Sequence, residues 1–311
     1  MYTVKNNTIS NEVIKLWQKV FVPDVDYFFF EEKPTFCEVT MKDTSTIPLH
    51  MKTSFLTWSV YKKARYMTVM ENQFFCSLNE NIQKQILREQ VRLNRGFVFE
   101  VKELELLLQH ENEEEWKPLL QTYSFLYEGK KLLILQGFVW RQFPERIRIC
   151  ILIYIAEMFI EEDSVEVSVP EEVLHIKPYI NTFIGTNGPN CLGTTLAAIE
   201  TNKEFFETHI HEWVQPKEFK EVLHNKNYKI IENPTIQQGD VLVWEENETA
   251  VHACYTLTDD IVFNKNGQTM FNPYQCVTVK QVIHNWRYVE QQGGRFVIYR
   301  KGEQANANLS V

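Results

Sequence analysis

The sequence predicts an α+β protein, and three observations carry that expectation. A helix-like run, 191-CLGTTLAAIETNKEFF-206, is followed by another at 216-PKEFKEVLHN-225. Short runs rich in β-branched residues come next: 240-DVLVWE-245, 250-AVHACYTLT-258, 261-IVFN-264, 276-CVTVK-280 and 296-FVIYR-300. Gly, Asn and Asp turns separate them, which argues for a mainly antiparallel sheet with helices packed against it.

The chain ahead of these runs reads as mixed and helix-rich. Residues 10-SNEVIKLWQKVF-21 place Ser10 as a cap before apolar residues at helical spacing. The tract 78–93 has the pattern of a surface helix ended by Asn94 and Gly96, and further helical patterns lie at 100–109 and 113–127. Residues 131-KLLILQGFVW-140 suit a strand or a buried helix equally, because periodicity does not separate the two. Pro144 fits the first turn of a long helix over 144–161. Around 161-EEDSVEVSVPEE-172 acidic residues, a short alternation and Pro170 mark a boundary or an edge strand. The expected division is an accessory domain at 1–165, a second domain at 166–305 and a tail at 306–311.

A chain of 311 residues has room for two cores, and 44% apolar with 23% charged residues is the composition of an ordered globular protein. The net charge is -9, and no basic stripe interleaved with aromatics appears, so nucleic acid is not an expected partner. The most apolar stretch, 147-IRICILIYIAEMFI-160, contains Arg148 and Glu157 and is too short to span a bilayer, so no membrane partner is expected. The N-terminus lacks a basic start leading into an apolar core, and no Cys-x-x-Cys pair occurs among the six cysteines. A reducing cytoplasm is the expected compartment.

Cys191 organises the chemistry. It follows the loop 185-GTNGPN-190, opens a helix-like run, and is followed 61 residues later by His252 on a strand-like run, with Asn264 twelve beyond that. A thiol at a helix start has its pKa lowered by unpaired amides, and an imidazole can accept its proton and later protonate a leaving amine. Strict alternation puts Val251, Ala253 and Tyr255 on one face and His252, Cys254 and Thr256 on the other, and the catalytic reading expects the His252 face to be the one toward the Cys191 helix. An amide oxygen at Asn264 would fix the imidazole tautomer. Gly193 is expected to let helix and sheet backbones approach. Taken singly, Cys191 also reads as a small buried residue, His252 as a packed histidine and Asn264 as a turn residue before 265-KNG-267.

Taken together, these segments resemble the NlpC-type peptidases, a compact branch of the papain-like cysteine hydrolases. The nucleophile segment 178-PYINTFIGTNGPNCLG-193 supplies Tyr179, Gly185, Cys191 and Gly193, 239-GDVLVW-244 resembles the Gly-Asp strand start, and 252-HACYTLTDDIVFN-264 carries the histidine and a polar residue twelve later. Asn190 stands where the family has Asp, Leu192 where it has Ser, and Asn264 where this branch more often has His. The resemblance covers about residues 175–300. It implies a papain-like domain in which Cys191 attacks a carbonyl carbon, His252 cycles between base and acid, Asn264 orients His252, and Tyr179 lines the cleft. It further implies cleavage of an amide or peptide bond through a thioester, with a bacterial cell-wall peptide or another small peptide or isopeptide as substrate, and with no cofactor or metal.

Two other classes remain open at this level: a non-catalytic binding or scaffold protein on the same fold, and a cysteine acyltransferase that passes the thioester to an amine. The histidines of 208-THIHEW-213 lack the spacing of a familiar zinc site and read as a helix end or loop with solvent-facing rings. The run 111-ENEEEW-116 reads as a solvated helix start, and Trp140 as core. No role for residues 1–165 and no oligomeric state follows from the sequence.

Overall fold

A computed structural model describes residues 1–22, 25–42, 57, 59–232 and 235–302. The tail expected at 306–311 lies outside the described residues. The chain divides into two compact units. One comprises Met1–Ser10, Phe159–Ile184 and the chain from Gly188 onward; the other comprises Asn11–Met158 with Gly185–Asn187.

The break set near 165 therefore falls at 158/159, and the first ten residues join the C-terminal unit. Local pairing explains this. Strands β1 (Tyr2–Val4) and β2 (Asn7–Ile9) form a hairpin through Lys5 and Asn6, both at positive φ. Thr8 then hydrogen-bonds both ways with the chain that precedes Cys191: its N–H donates to the Asn181 carbonyl at 2.7 Å, and its carbonyl accepts from the Phe183 N–H at 3.0 Å. The Ser164 hydroxyl donates to Asn7 Oδ1 at 2.8 Å. Nothing in the composition of residues 1–10 announces that long-range pairing.

The other unit holds α1 (Asn11–Val20), β3 (Asp26–Phe30), β4 (Thr40–Met41), β5 (Tyr66–Met70), α2 (Asn72–Ser77) and α3 (Glu80–Arg92). It continues with β6 (Val98–Glu100), α4 (Val101–Leu107), α5 (Glu113–Tyr123), β7 (Ser124–Tyr127), β8 (Lys130–Ile134), α6 (Gly137–Gln142) and α7 (Glu145–Met158). Asn79 caps α3 by accepting from the Ile82 N–H. Two three-stranded antiparallel sheets, in the orders β3-β5-β4 and β6-β8-β7, complete it. The ambiguous 131–140 segment is both things in turn, β8 and then α6, with Trp140 buried and edge-on to Phe21.

In the C-terminal unit, residues 161–170 form no strand; Val165 donates one hydrogen bond to the Cys276 carbonyl and the chain passes into a 3-10 helix over Glu171–Tyr179. The helix-like run at 191–206 is two helices, α8 (Cys191–Ile199) and α9 (Lys203–His211), because Asn202 starts a new helix by accepting from the Glu204 and Phe205 N–H groups. Then come α10 (Pro216–Asn225), β9 (Tyr228–Ile230), β10 (Val241–Glu246), β11 (Thr249–Thr256), β12 (Ile261–Asn264), β13 (Gln275–Thr278), α11 (Val279–Gln291) and β14 (Arg295–Lys301). The six strands form one antiparallel sheet in the order β13-β12-β11-β10-β14-β9. The architecture is α+β.

Each face of this sheet carries its own apolar layer. Val241, Val243, Ala253, Tyr255, Phe263 and Cys276 pack with α8, α9 and α10. Leu242, Trp244, Cys254, Val262, Val277 and Ile298 pack with α11. Strand alternation accounts for this division residue by residue. No helix among the described residues is long and apolar enough to cross a membrane.

Candidate active site

Every residue of α8 is buried, and Cys191 is its first. Asn190 is the N-cap. Its Oδ1 accepts from the Gly193 N–H at 2.9 Å and the Val214 N–H at 3.3 Å, while its Nδ2 donates to the Val214 carbonyl at 2.8 Å. An aspartate could accept twice but could not make the third bond, which gives a physical reason for Asn here. Gly193 does not serve helix–sheet contact as expected. A Cβ there would lie 2.5 Å from the His209 carbonyl oxygen and 2.9 Å from that of Glu212, so its lack of a side chain lets α8 approach the end of α9.

Opposing effects act on the Cys191 sulfur. Burial pushes its pKa up, while the N–H groups of Ala253, Leu192 and Cys191 itself, together with Lys265, pull it partly back. Burial wins, so the resting thiol is protonated. Cys191 packs in the same apolar layer as Ala253 and Tyr255 of β11, and β12 pairs with β11 at Tyr255–Phe263 and Thr256–Val262.

His252 lies next to Ala253 in sequence, but its ring does not meet the sulfur. It stacks on Trp286 of α11 with ring centroids 4.0 Å apart and planes 7° apart, and it leans on Trp244 at 5.5 Å. Both tryptophans belong to the α11 layer. The expectation that His252 points toward the Cys191 helix is therefore corrected for this geometry. A β-bulge explains part of the pattern: Trp244 pairs with His252 and Glu245 with Ala250, so Val251 is the extra residue. Ala250 and Ala253 consequently share the α8 layer, while Val251 packs with the α11 layer.

Asn264 and His252 do come together. The Asn264 side chain favours the charged imidazole, but burial dominates and pushes His252 down to about 3. Among the described residues neither His252 ring nitrogen nor Asn264 Oδ1 has a hydrogen-bond partner of good geometry. Asn264 and Trp286 also border a small pocket of about 10 Å³ whose other lining residues include Gln275, Gln281 and Asn285. Tyr179 closes the 3-10 helix, packs against the layer that contains Cys191, and sets its hydroxyl 3.2 Å from His211 Nε2.

The other motif residues have structural roles. Asp240 is fully buried and paired with Arg300, whose Nε and Nη2 donate at 2.7 and 2.8 Å. His209 is buried rather than solvent-facing, whereas His211 is exposed. No group of three or more potential metal ligands occurs among the described residues.

Sequence reasoning missed Lys265 and Trp286. Lys265 was absorbed into the turn at 265–267, yet it is fully buried. Trp286 lies on an unexpected helix whose signals were present. Val279, Val282, Ile283, Trp286 and Val289 have helical spacing, and Thr278 with Gln281 forms a capping box.

Comparison of the chain with known protein families, curated proteins and solved structures finds no match in any of the three.

Proposed function

We propose that the C-terminal unit is a cysteine-dependent hydrolase of a small peptide or isopeptide, acting through a thioester on Cys191. One observation carries this reading: the sulfur stands at the first residue of a buried helix with three backbone N–H groups acting on it. Such donors stabilise a thiolate, and the N–H groups of the helix start can serve the oxyanion of an acyl-transfer intermediate. The resemblance of 178–193 and 239–264 to the NlpC-type segments supports the same chemistry.

In the proposed reaction the imidazole leaves its stack on Trp286 and meets the sulfur. The S–H proton passes to His252 as sulfur bonds to the carbonyl carbon. The tetrahedral intermediate then expels the amine, which takes that proton. Water attacks the thioester, His252 again relays the proton, and the carboxylic acid and free thiol are released. The unpaired polar atoms of His252 and Asn264 favour such a rearrangement, because each buried orphan costs about 1–3 kcal/mol.

A non-catalytic binding protein is the second reading, and the His252–Trp286 stack is the observation that favours it. Alkylation rates of each of the six cysteines between pH 5 and 9, in the parent and in His252→Ala, separate the two. The hydrolase reading expects the Cys191 profile to shift in the variant, with amine release from a panel of small peptide amides lost in Cys191→Ala. An accessible Cys191 with an ordinary profile indifferent to His252 supports the binding protein. Product formed only with an added amine acceptor identifies an acyltransferase.

A further inference from the structure

Lys265 directly follows Asn264, is fully buried, and has no carboxylate partner among the described residues. Its Nζ instead donates to three backbone carbonyls, those of Gly267 at 3.1 Å, Thr269 at 3.0 Å and Asn272 at 2.8 Å. The Tyr274 ring lies 5.7 Å away. An ammonium has three N–H donors and each one is used, whereas a neutral amine would leave one carbonyl without a donor. The geometry therefore favours the charged form. Burial opposes it, pushing the group down to about 7.

The loop that Lys265 gathers touches the approach to the nucleophile. The Gly188 N–H donates to the Gln268 carbonyl at 2.9 Å, three residues before Cys191. Within the loop, Asn272 Oδ1 accepts from the Thr269 N–H at 3.1 Å and the Thr269 hydroxyl at 2.7 Å. Gly267, at φ +133°, fits tightly, since a Cβ there would lie 2.7 Å from Asn272 Oδ1. A buried cation thus fixes a loop that is tied to the residues leading into the thiol.

We propose that Lys265 is the positioning residue of the nucleophile: its ammonium form holds the 267–272 loop against the approach to Cys191 and supplies positive charge to the thiolate. This rests on the reading of Cys191 as a nucleophile. Lys265 is the titratable group acting on Cys191, and Cys191 in turn acts on Lys265 and on the Cys254 thiol. With Lys265 supplying charge, His252 need only accept and return a proton, which suits an imidazole held neutral by burial.

The test is the ionisation of Cys191, read as thiolate ultraviolet absorbance against pH and taken as the difference between each protein and its Cys191→Ser counterpart. This readout needs no reagent to reach the buried sulfur. Lys265→Met removes the charge at similar volume and is expected to raise the apparent pKa of Cys191 by about one unit, a tenfold loss of thiolate at a given pH. Lys265→Arg, which keeps the charge, is expected to restore part of that loss. Should Lys265→Met fail to fold, Asn272→Ala keeps the ammonium but frees the loop, and it too is expected to raise the pKa. An unchanged Cys191 titration in a folded Lys265→Met or Asn272→Ala protein overturns the proposal. His252→Ala reports separately on the hydrolase reading: a titration that responds to Lys265 but not to His252 retains this inference and rejects the pair.

Discussion

The His252 imidazole lies flat against the Trp286 indole, with ring centroids 4.0 Å apart and an interplanar angle of 7°. That contact removes the imidazole from water and from the sulfur, and it joins a residue on the β11 strand to a helix that begins 27 residues later. Trp286→Ala is expected to raise the His252 pKa from about 3 toward the ordinary 6.5. The imidazole C–H resonances should show this on pH titration, assigned by their loss in His252→Phe. Trp286 is only partly buried, so the accompanying loss of stability should be about 2–3 kcal/mol.

The depressed His252 pKa also sets a pH dependence of stability. Below the ordinary value of 6.5 the unfolded chain binds a proton that the folded chain refuses until about pH 3. The stability associated with neutral His252 is therefore fully present above pH 6.5 and is lost as the pH falls toward 3. Urea midpoints at pH 6.5 and 5 should show the parent losing about 2 kcal/mol more than His252→Phe, at about 1.4 kcal/mol per unit. Parallel losses in the two proteins would show that the folded imidazole titrates near its ordinary value.

Asn190→Asp recreates the residue usual in the NlpC-type motif, and in this chain it is expected to destabilise. The cap to Gly193 survives, but the second carboxylate oxygen then faces the Val214 carbonyl where Nδ2 now donates at 2.8 Å. A cost of about 1–3 kcal/mol should appear in denaturant unfolding at pH 7. It should shrink in acid as the carboxyl takes up a proton that can be donated to that carbonyl.

Gly193→Ala tests the close approach of α8 and α9. Alanine is the better helix former by about 1 kcal/mol. The new methyl, however, would lie 2.5 Å from the His209 carbonyl oxygen, and both obstructing oxygens are backbone atoms. Thermal unfolding should show a net loss of about 2 kcal/mol or more, since overpacking outweighs propensity. A gain in stability would mean that α9 moves away freely.

Thr278→Ala removes the capping box that starts α11, where Thr278 and Gln281 exchange hydrogen bonds. The expected cost is about 1 kcal/mol. Because α11 carries Trp286, the His252 pKa should rise as the helix start frays, a change that NMR titration can follow.

Local pattern determined much of this protein. The alternation in 240–245, 250–256 and 261–264 was enough to read an antiparallel sheet, because side chains on strands must divide between two apolar layers. Pro216 suits an early helical position because its φ is fixed, and Cys191 stood out because a thiol after a loop and before a helix meets unpaired amides. Tertiary structure decided what depends on pairing between distant segments. The sequence of β1 and β2 does not say that Thr8 will bond to residues 181–183, so it does not show that the first ten residues join the C-terminal unit. Alternation along β11 says that His252 and Ala253 face opposite ways, but not which layer lies on which side. That choice rests on where α8 and α11 pack. Lys265 makes the same point: lysine in an Asn-Gly turn reads as solvated, and only the folded loop brings three carbonyls to one ammonium. Local sequence fixes what a residue can do, and long-range packing fixes which partner it meets.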